Sequence, residues 1–149
     1  MASSDDTRVL VTIAQGVADV RLNRPDKLNA LDSAMFDALI AAGEQLRTTT
    51  GLRAVVLSGS GKSFCAGLDM SRFQAMAGEA DSAASLRLGP RSHGHCNVPQ
   101  YAALVWRSLP VPVIAAVHGA ALGGGLQIAL GADIRIVSPE AKLGLLEIR

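Results

Sequence analysis

The stretch PVIAAVHGAALGGGLQIAL, residues 112–130, decides the fold of this chain. Its β-branched apolar run at 113–117 predicts a buried strand, and residues 123–130, which begin with three glycines, predict a helix. A strand, a glycine turn and a helix often form a ligand site, because the first N–H groups of a helix have no partner within it. The competing interpretation is a tight turn that packs the helix closely, and the glycines alone do not separate the two.

Composition narrows the class of protein. The 149 residues suffice for one domain with a core, residues 1–149, and the 49% hydrophobic and 3% aromatic content predicts an aliphatic core. With 14 basic and 13 acidic side chains there is no basic patch, so nucleic acid is not an expected partner. Cys65 and Cys96 lack a metal-ligand spacing, which favours a reducing, cytoplasmic location without a metal site.

The uncharged segment 108–132 raises the question of a membrane span. Pro110, Pro112 and several glycines interrupt it, which favours a buried strand followed by a buried helix in a soluble protein. The polar N-terminus does not have the pattern of a secretory signal. We therefore expect no membrane partner.

Upstream of this stretch the chain alternates between strand and helix patterns. Residues 8–13 and 17–22 predict a hairpin, and residues 32–47 predict an amphipathic helix that Asp32 or Ser33 can cap. The apolar run 54–58 predicts a buried parallel strand.

The remaining segments are assigned in the same way. We expect a short helix at 70–77, a long flexible loop at 78–99 and a helix at 100–109. Strands are expected at 133–137 and at 142–148.

Two glycine-containing loops follow two predicted parallel strands. They are residues 65–68 and residues 123–125, and both offer backbone N–H groups. If the strands are neighbours, both loops face one crevice at the carboxyl ends of the strands. Two converging N–H groups form an oxyanion hole, which stabilises the charge on a thioester or ester carbonyl as it becomes an enolate. Two ordinary glycine turns are the alternative.

Several segments, taken in order, carry a resemblance to a known family. The chain resembles the enoyl-CoA hydratase/isomerase, or crotonase, superfamily at residues 23–31, 63–70, 112–130, 131–135 and 144–149. The resemblance implies an α/β fold of the ClpP/crotonase ββα spiral type. It also implies that this chain is the N-terminal portion of such a domain and stops before the C-terminal helical region.

The resemblance also assigns site residues. The oxyanion hole falls on the N–H groups of Leu68 and Gly124. The substrate is an acyl-CoA thioester, so coenzyme A is part of the substrate and no separate cofactor is expected. The implied substrate- and CoA-binding residues are Lys27, Leu28, Ala30, Ala66, Gly67, Leu68, Asp69, Gly123 and Gly124.

Two further positions bear on the reaction. Hydratases of this family carry two glutamates, and the corresponding positions here are Gln127 and Glu147. An amide cannot act as a general acid or base, although Gln127 can orient water or substrate by hydrogen bonding. Glu147 is then the proton carrier. A surface carboxylate at a strand end is the alternative for that residue.

The sequence therefore leaves more than one function open. The resemblance implies an enoyl-CoA hydratase acting on a trans-2-enoyl-CoA. The alternatives are an isomerase that uses Glu147 alone and a non-catalytic CoA-ester-binding fragment. A nucleotide-binding Rossmann domain is disfavoured, because the glycine triplet lacks the G-x-G-x-x-G spacing. Full-length relatives are expected to form homotrimers or hexamers.

Overall fold

The computed structural model describes residues 7–69 and 91–146. The predicted helix at 70–77, most of the predicted loop at 78–99, and Glu147 lie outside these residues.

Within the described residues, strands and helices alternate along most of the chain. The strands are β1 Val9–Ala14, β2 Val17–Leu22, β3 Ala54–Gly59, β4 Val113–Val117, β5 Ala120–Leu122, β6 Ile134–Val137 and β7 Lys142–Gly144. The helices are α1 Ser33–Arg47, α2 Val98–Leu104 and α3 Gly124–Leu130. Short 3-10 helices occupy Pro25–Lys27 and Val105–Ser108.

The main sheet has the strand order β1-β2-β3-β4-β6. β1 and β2 pair antiparallel, as the predicted hairpin requires, and all other neighbours in this sheet are parallel. The predicted α/β class is confirmed. Because β3 and β4 are parallel neighbours, the segments that follow them leave the sheet at the same edge.

Helix α1 follows the predicted pattern. Its buried face includes Met35, Phe36, Leu39 and Leu46, whereas Ile40, predicted for the same stripe, is only half-buried. Asp32 is the N-cap, and its carboxylate accepts a hydrogen bond of 2.8 Å from the N–H of Met35. The same carboxylate pairs with the Arg8 guanidinium at 3.0 Å.

The charge on Asp32 should make the stability of this helix end depend on pH. Burial raises the pKa of Asp32, but the hydrogen bonds from Arg8 and Met35 and the charges of Arg24 and Arg8 outweigh it and lower the pKa overall. A lowered folded-state pKa stabilises the fold above the unfolded pKa, and this contribution is lost as the pH falls through the folded pKa.

We therefore expect Asp32→Asn, which keeps an amide oxygen as the cap, to lower the free energy of unfolding at pH 7 by about 1 kcal/mol. Asp32→Ala, which loses the cap as well, should lower it by about 2 kcal/mol. Urea unfolding at pH 7 and pH 3 measures both effects. If the free energy of unfolding of Asp32→Asn lies equally far below that of wild type at both pH values, the charge on Asp32 does not stabilise the fold.

Two predicted boundaries next to α2 are wrong. The helix predicted at 100–109 begins two residues earlier, at Val98, so the predicted loop at 78–99 extends two residues too far; after Leu104 it continues as the 3-10 helix Val105–Ser108, so its predicted end is one residue too late. The cause is a capping box, in which the side chain of Asn97 accepts from the N–H of Gln100 and the side chain of Gln100 accepts from the N–H of Asn97.

The strand assignments near the C-terminal end of the described residues also need correction. Of the strand predicted at 142–148, residues Lys142–Gly144 form β7, Leu145 and Leu146 lie outside the strand, and residues 147–148 lie outside the described residues. β7 pairs with β5 in a separate two-stranded sheet. β5 itself was not predicted. Strand β6 begins at Ile134, one residue later than predicted, and it forms an edge of the main sheet with all four residues exposed.

The uncharged segment 108–132 contains β4, β5 and α3. None of the helices within residues 7–69 and 91–146 is long and apolar enough to cross a membrane.

Candidate active site

Three segments of the chain lie side by side at the carboxyl edge of β3 and β4. The central segment, residues 65–69, pairs on one side with residues 120–122: the N–H of Cys65 donates to Ala120 O at 2.9 Å, and the N–H of Leu122 donates to Cys65 O at 3.1 Å. On its other side it pairs with residues 28–31, where the N–H of Ala66 donates to Leu28 O at 2.9 Å. The segments in which the sequence placed the CoA contacts and the oxyanion hole are therefore adjacent.

Two glycines allow this close packing. A Cβ atom on Gly67, whose φ is +91°, would lie 2.8 Å from Leu122 O. A Cβ atom on Gly125 would lie 2.4 Å from Cys65 O. Both distances are too short for an alanine without movement of the backbone, so these positions require glycine.

The N–H of Leu68 points away from residues 28–31. Gly67 O accepts a 2.7 Å hydrogen bond from the N–H of Leu31, and the peptide bond between Gly67 and Leu68 is trans. In a trans peptide the C=O and N–H point in opposite directions, so the Leu68 N–H is directed to the far side of the central segment. No described residue accepts a hydrogen bond from it.

The N–H of Gly124, like that of Leu68, has no acceptor among the described residues. It is the first residue of α3, so its N–H has no acceptor within the helix. Among residues 7–69 and 91–146 no other group accepts from it. The preceding N–H, that of Gly123, is already bound to Gly144 O at 2.8 Å. Cys65 and Ala121 are paired in parallel orientation. Leu68 lies three residues after Cys65, and Gly124 lies three residues after Ala121, so the two N–H groups occupy equivalent positions on the two segments.

The other predicted CoA-contacting residues are divided between surface and interior. Lys27 and Leu28 are exposed, and Leu28 has a left-handed backbone with φ +50°. Ala30 is 8% exposed, Ala66 is half-buried, and Gly67 and Gly123 are buried. Lys27 and Leu28 thus present side chains to solvent at the border of the site.

Asn29, which was not among the predicted site residues, connects the segments. Its fully buried amide nitrogen donates to three backbone carbonyls, Ser60 O at 2.9 Å, Ser63 O at 2.8 Å and Phe64 O at 3.2 Å. Its amide oxygen accepts from the N–H of Arg24 at 2.8 Å. The sequence placed Asn29 in the right motif but gave no sign of these four contacts.

Loss of this amide should destabilise the protein strongly. Asn29→Ala leaves buried carbonyls without a donor, and each unsatisfied group costs about 1–3 kcal/mol. We expect the free energy of unfolding to fall by about 3 kcal/mol or more, measured by urea denaturation. The matched control is Asn23→Ala, which removes one exposed hydrogen bond to Thr7 O and should cost less than about 0.5 kcal/mol. Equal losses in the two variants would contradict this role of Asn29.

Asp69 has a charged partner. Only 8% of the residue is exposed, and its carboxylate lies 2.5 Å from the Arg24 guanidinium. Its N–H donates to Leu31 O at 3.1 Å. The sequence placed Asp69 beside the substrate, whereas in the structure its described contacts join the central segment to residues 24–31.

Cys65 lies within the site but is chemically protected. Its thiol donates to Asn29 O at 3.1 Å, and the residue is fully buried. Burial raises the pKa of Cys65 to about 12, although a backbone hydrogen bond involving Gly67 partly opposes the shift. The thiol is therefore protonated at neutral pH and is not a nucleophile.

Gln127 lies one turn into α3. It is exposed and lines a groove of about 280 Å³ between α2 and α3, whose apolar wall includes Ala103, Leu104 and Leu130. Glu147, the predicted proton carrier, lies outside the described residues.

Comparison with known proteins gives a consistent result. The family profile described as "Enoyl-CoA hydratase/isomerase" matches residues 12–149. A probable enoyl-CoA hydratase from Bacillus subtilis is 35% identical over 94% of this chain and 50% of its own length. An (E)-benzylidenesuccinyl-CoA hydratase from Thauera aromatica is 39% identical over 95% of this chain and 51% of its own. The chain thus spans about half the length of these curated relatives.

Solved structures agree on the fold. An enoyl-CoA hydratase/carnithine racemase from Magnetospirillum magneticum superposes with a TM-score of 0.79 at 33% identity, over 92% of this chain and 48% of that one. An enoyl-CoA hydratase/isomerase (crotonase) from Legionella pneumophila gives a TM-score of 0.77 at 30% identity, over 93% of this chain and 50% of that one. The crotonase-like fold expected from the sequence is confirmed, and the chain belongs to the enoyl-CoA hydratase/isomerase family.

Proposed function

We propose that this protein acts on an acyl-CoA thioester and binds the thioester oxygen with the N–H groups of Leu68 and Gly124. The observation that carries the proposal is the pair of N–H groups without described acceptors on two adjacent segments. Lys27, Leu28 and Ala30, together with residues 66–69 and Gly123, are proposed to border the CoA portion.

The chemistry follows from where the negative charge develops. Addition to an enoyl thioester, or removal of its α- or γ-proton, moves electrons onto the thioester oxygen. A preorganised N–H donor that meets this oxygen stabilises the transition state by roughly 3 kcal/mol. Two such donors lower the barrier for hydration and for isomerisation alike, so the remaining side chains decide the reaction.

The proposed reaction is hydration of a trans-2-enoyl-CoA. Water adds its oxygen to the β-carbon and a proton enters at the α-carbon, so the product differs from the substrate by one water. Glu147 is the proposed proton carrier, and Gln127, on the groove between α2 and α3, is proposed to orient the water. The names of the Bacillus and Thauera relatives support hydration.

Isomerisation is the second candidate, and Gln127 is the residue that favours it. A single carboxylate can remove a proton from one carbon of the enolate-stabilised thioester and return it to another. Water addition requires activation of the nucleophile as well as protonation of carbon, and an amide performs neither step. A mouse mitochondrial Δ(3,5)-Δ(2,4)-dienoyl-CoA isomerase is 34% identical over 94% of this chain and 43% of its own length. Binding of a CoA ester without conversion is the third candidate.

One experiment separates these functions. The protein is incubated with crotonyl-CoA in deuterated water, the thioester is analysed by mass spectrometry, and binding is measured in parallel by equilibrium dialysis. A mass gain of one heavy water supports the hydratase. Deuterium exchange without water addition supports the isomerase, and binding without either change supports a CoA-ester binder. Absence of both binding and conversion would overturn the proposal of an acyl-CoA ligand.

A further inference from the structure

We propose that Arg24 is a positioning residue that acts through Asp69 to fix the direction of the Leu68 N–H. The inference rests on the proposed function of that N–H as an oxyanion donor, and it assigns the buried ion pair a role in the same site.

The Arg24–Asp69 ion pair lies directly beside Leu68 in the chain. Asp69 directly follows Leu68, and its carboxylate lies 2.5 Å from Arg24 Nη1. The two side chains are only 15% and 11% exposed. Arg24 Nη1 also donates to Ala30 O at 3.2 Å, so the guanidinium is itself held against residues 28–31.

Hydrogen bonds on both sides of Leu68 set the direction of its N–H. Its neighbours on both sides are bound to Leu31: Gly67 O accepts from the Leu31 N–H at 2.7 Å, and the Asp69 N–H donates to Leu31 O at 3.1 Å. These two bonds orient the peptide that carries the Leu68 N–H. The Arg24–Asp69 ion pair lies at one end of this arrangement and resists its separation from residues 28–31.

The charge on Asp69 also bears on the stabilisation of the oxyanion. A carboxylate one residue from an oxyanion donor opposes negative charge on the thioester oxygen, most strongly in a partly desolvated site. Arg24 neutralises Asp69. Removal of Arg24 alone should therefore be more harmful than removal of both charges, because it takes away the positive charge that offsets the carboxylate beside Leu68.

The test compares Arg24→Gln, Asp69→Asn and the double variant in the 149-residue chain. The matched control is Arg8→Gln, which breaks the Arg8–Asp32 pair, 3.0 Å long with both side chains 20% exposed, and leaves in place Arg24, which lies 3.6 Å from Asp32 as well as 2.5 Å from Asp69. The readouts are kcat and KM for crotonyl-CoA and the hydrogen exchange of the Leu31 and Asp69 amides.

We expect Arg24→Gln to lower kcat about ten- to hundredfold with KM changed less than about threefold, because a misdirected donor affects the transition state most. The double variant should regain at least about threefold in kcat over Arg24→Gln. The Leu31 and Asp69 amides should exchange faster in Arg24→Gln, whereas Arg8→Gln should change neither kcat nor these amides.

Two results would overturn the inference in an active protein: a kcat for Arg24→Gln equal to that of Arg8→Gln, or a double variant worse than both single variants. A wild-type chain that neither binds nor converts crotonyl-CoA would instead remove the proposed function and, with it, the catalytic part of the inference. The amide exchange still tests the positioning role in that case, and unchanged exchange in Arg24→Gln overturns it.

Discussion

Replacing Gly124 by proline should reduce kcat about 100- to 1000-fold relative to replacing it by alanine. The loss of one oxyanion donor has this magnitude. Gly124 is the first residue of α3, the helical position that tolerates proline best, so the substitution removes the N–H with little cost to the helix.

The alanine variant is the matched control for this prediction. Both side chains introduce a Cβ atom, which would lie 2.9 Å from Leu31 Cδ1, the flexible end of a side chain. Only the proline removes the hydrogen. Steady-state kinetics on crotonyl-CoA measure the difference, and circular dichroism confirms that both variants keep their helix content. Equal kcat values for the proline and alanine variants would show that the Gly124 N–H is not a donor in the reaction.

Replacing Glu147 by glutamine should be the other change with a large effect. If this carboxylate carries the proton, its loss should lower turnover about 100- to 10,000-fold, the usual contribution of a general acid or base. Glutamine has nearly the same size and hydrogen-bonding reach, so binding of the thioester should change little. The expected pattern is a lower kcat at similar KM.

Glu140→Gln is the control for this substitution. Glu140 is an exposed carboxylate in the turn before β7, so its loss changes the net charge equally. It should keep kcat within about twofold of wild type. If turnover in Glu147→Gln also stays within a few fold of wild type, another group carries the proton.

The sequence predicted the parts of the fold that have a strong local pattern. Helix α1 has an acidic cap and an apolar stripe, and β4 is an uninterrupted β-branched run, so both were located to within one residue. β5 has only three residues between two glycines, and its pairing with β7 depends on a partner about 20 residues away. No local period could have shown it.

The sequence predicted which segments form the site, but it did not predict which side chains connect these segments. The sequence located residues 27–31, 65–69 and 123–125, and the structure brings their neighbourhoods together. The side chains that connect the segments do so through contacts between residues that are far apart in the sequence. Asn29 was therefore missed, and the sequence did not show that Asp69 pairs with a residue 45 positions earlier in the chain.

The two cysteine thiols of the chain differ in burial, so the opening of residues 65–69 can be measured by alkylation without a substrate. Cys96 is half-buried, whereas Cys65 is fully buried and reaches a reagent only when the central segment separates from its neighbours. The rate at which iodoacetamide alkylates Cys65, compared with Cys96, therefore reports the frequency of that opening. A thioester bound across residues 65–69 would slow alkylation of Cys65 but not of Cys96, whose rate then serves as the internal reference.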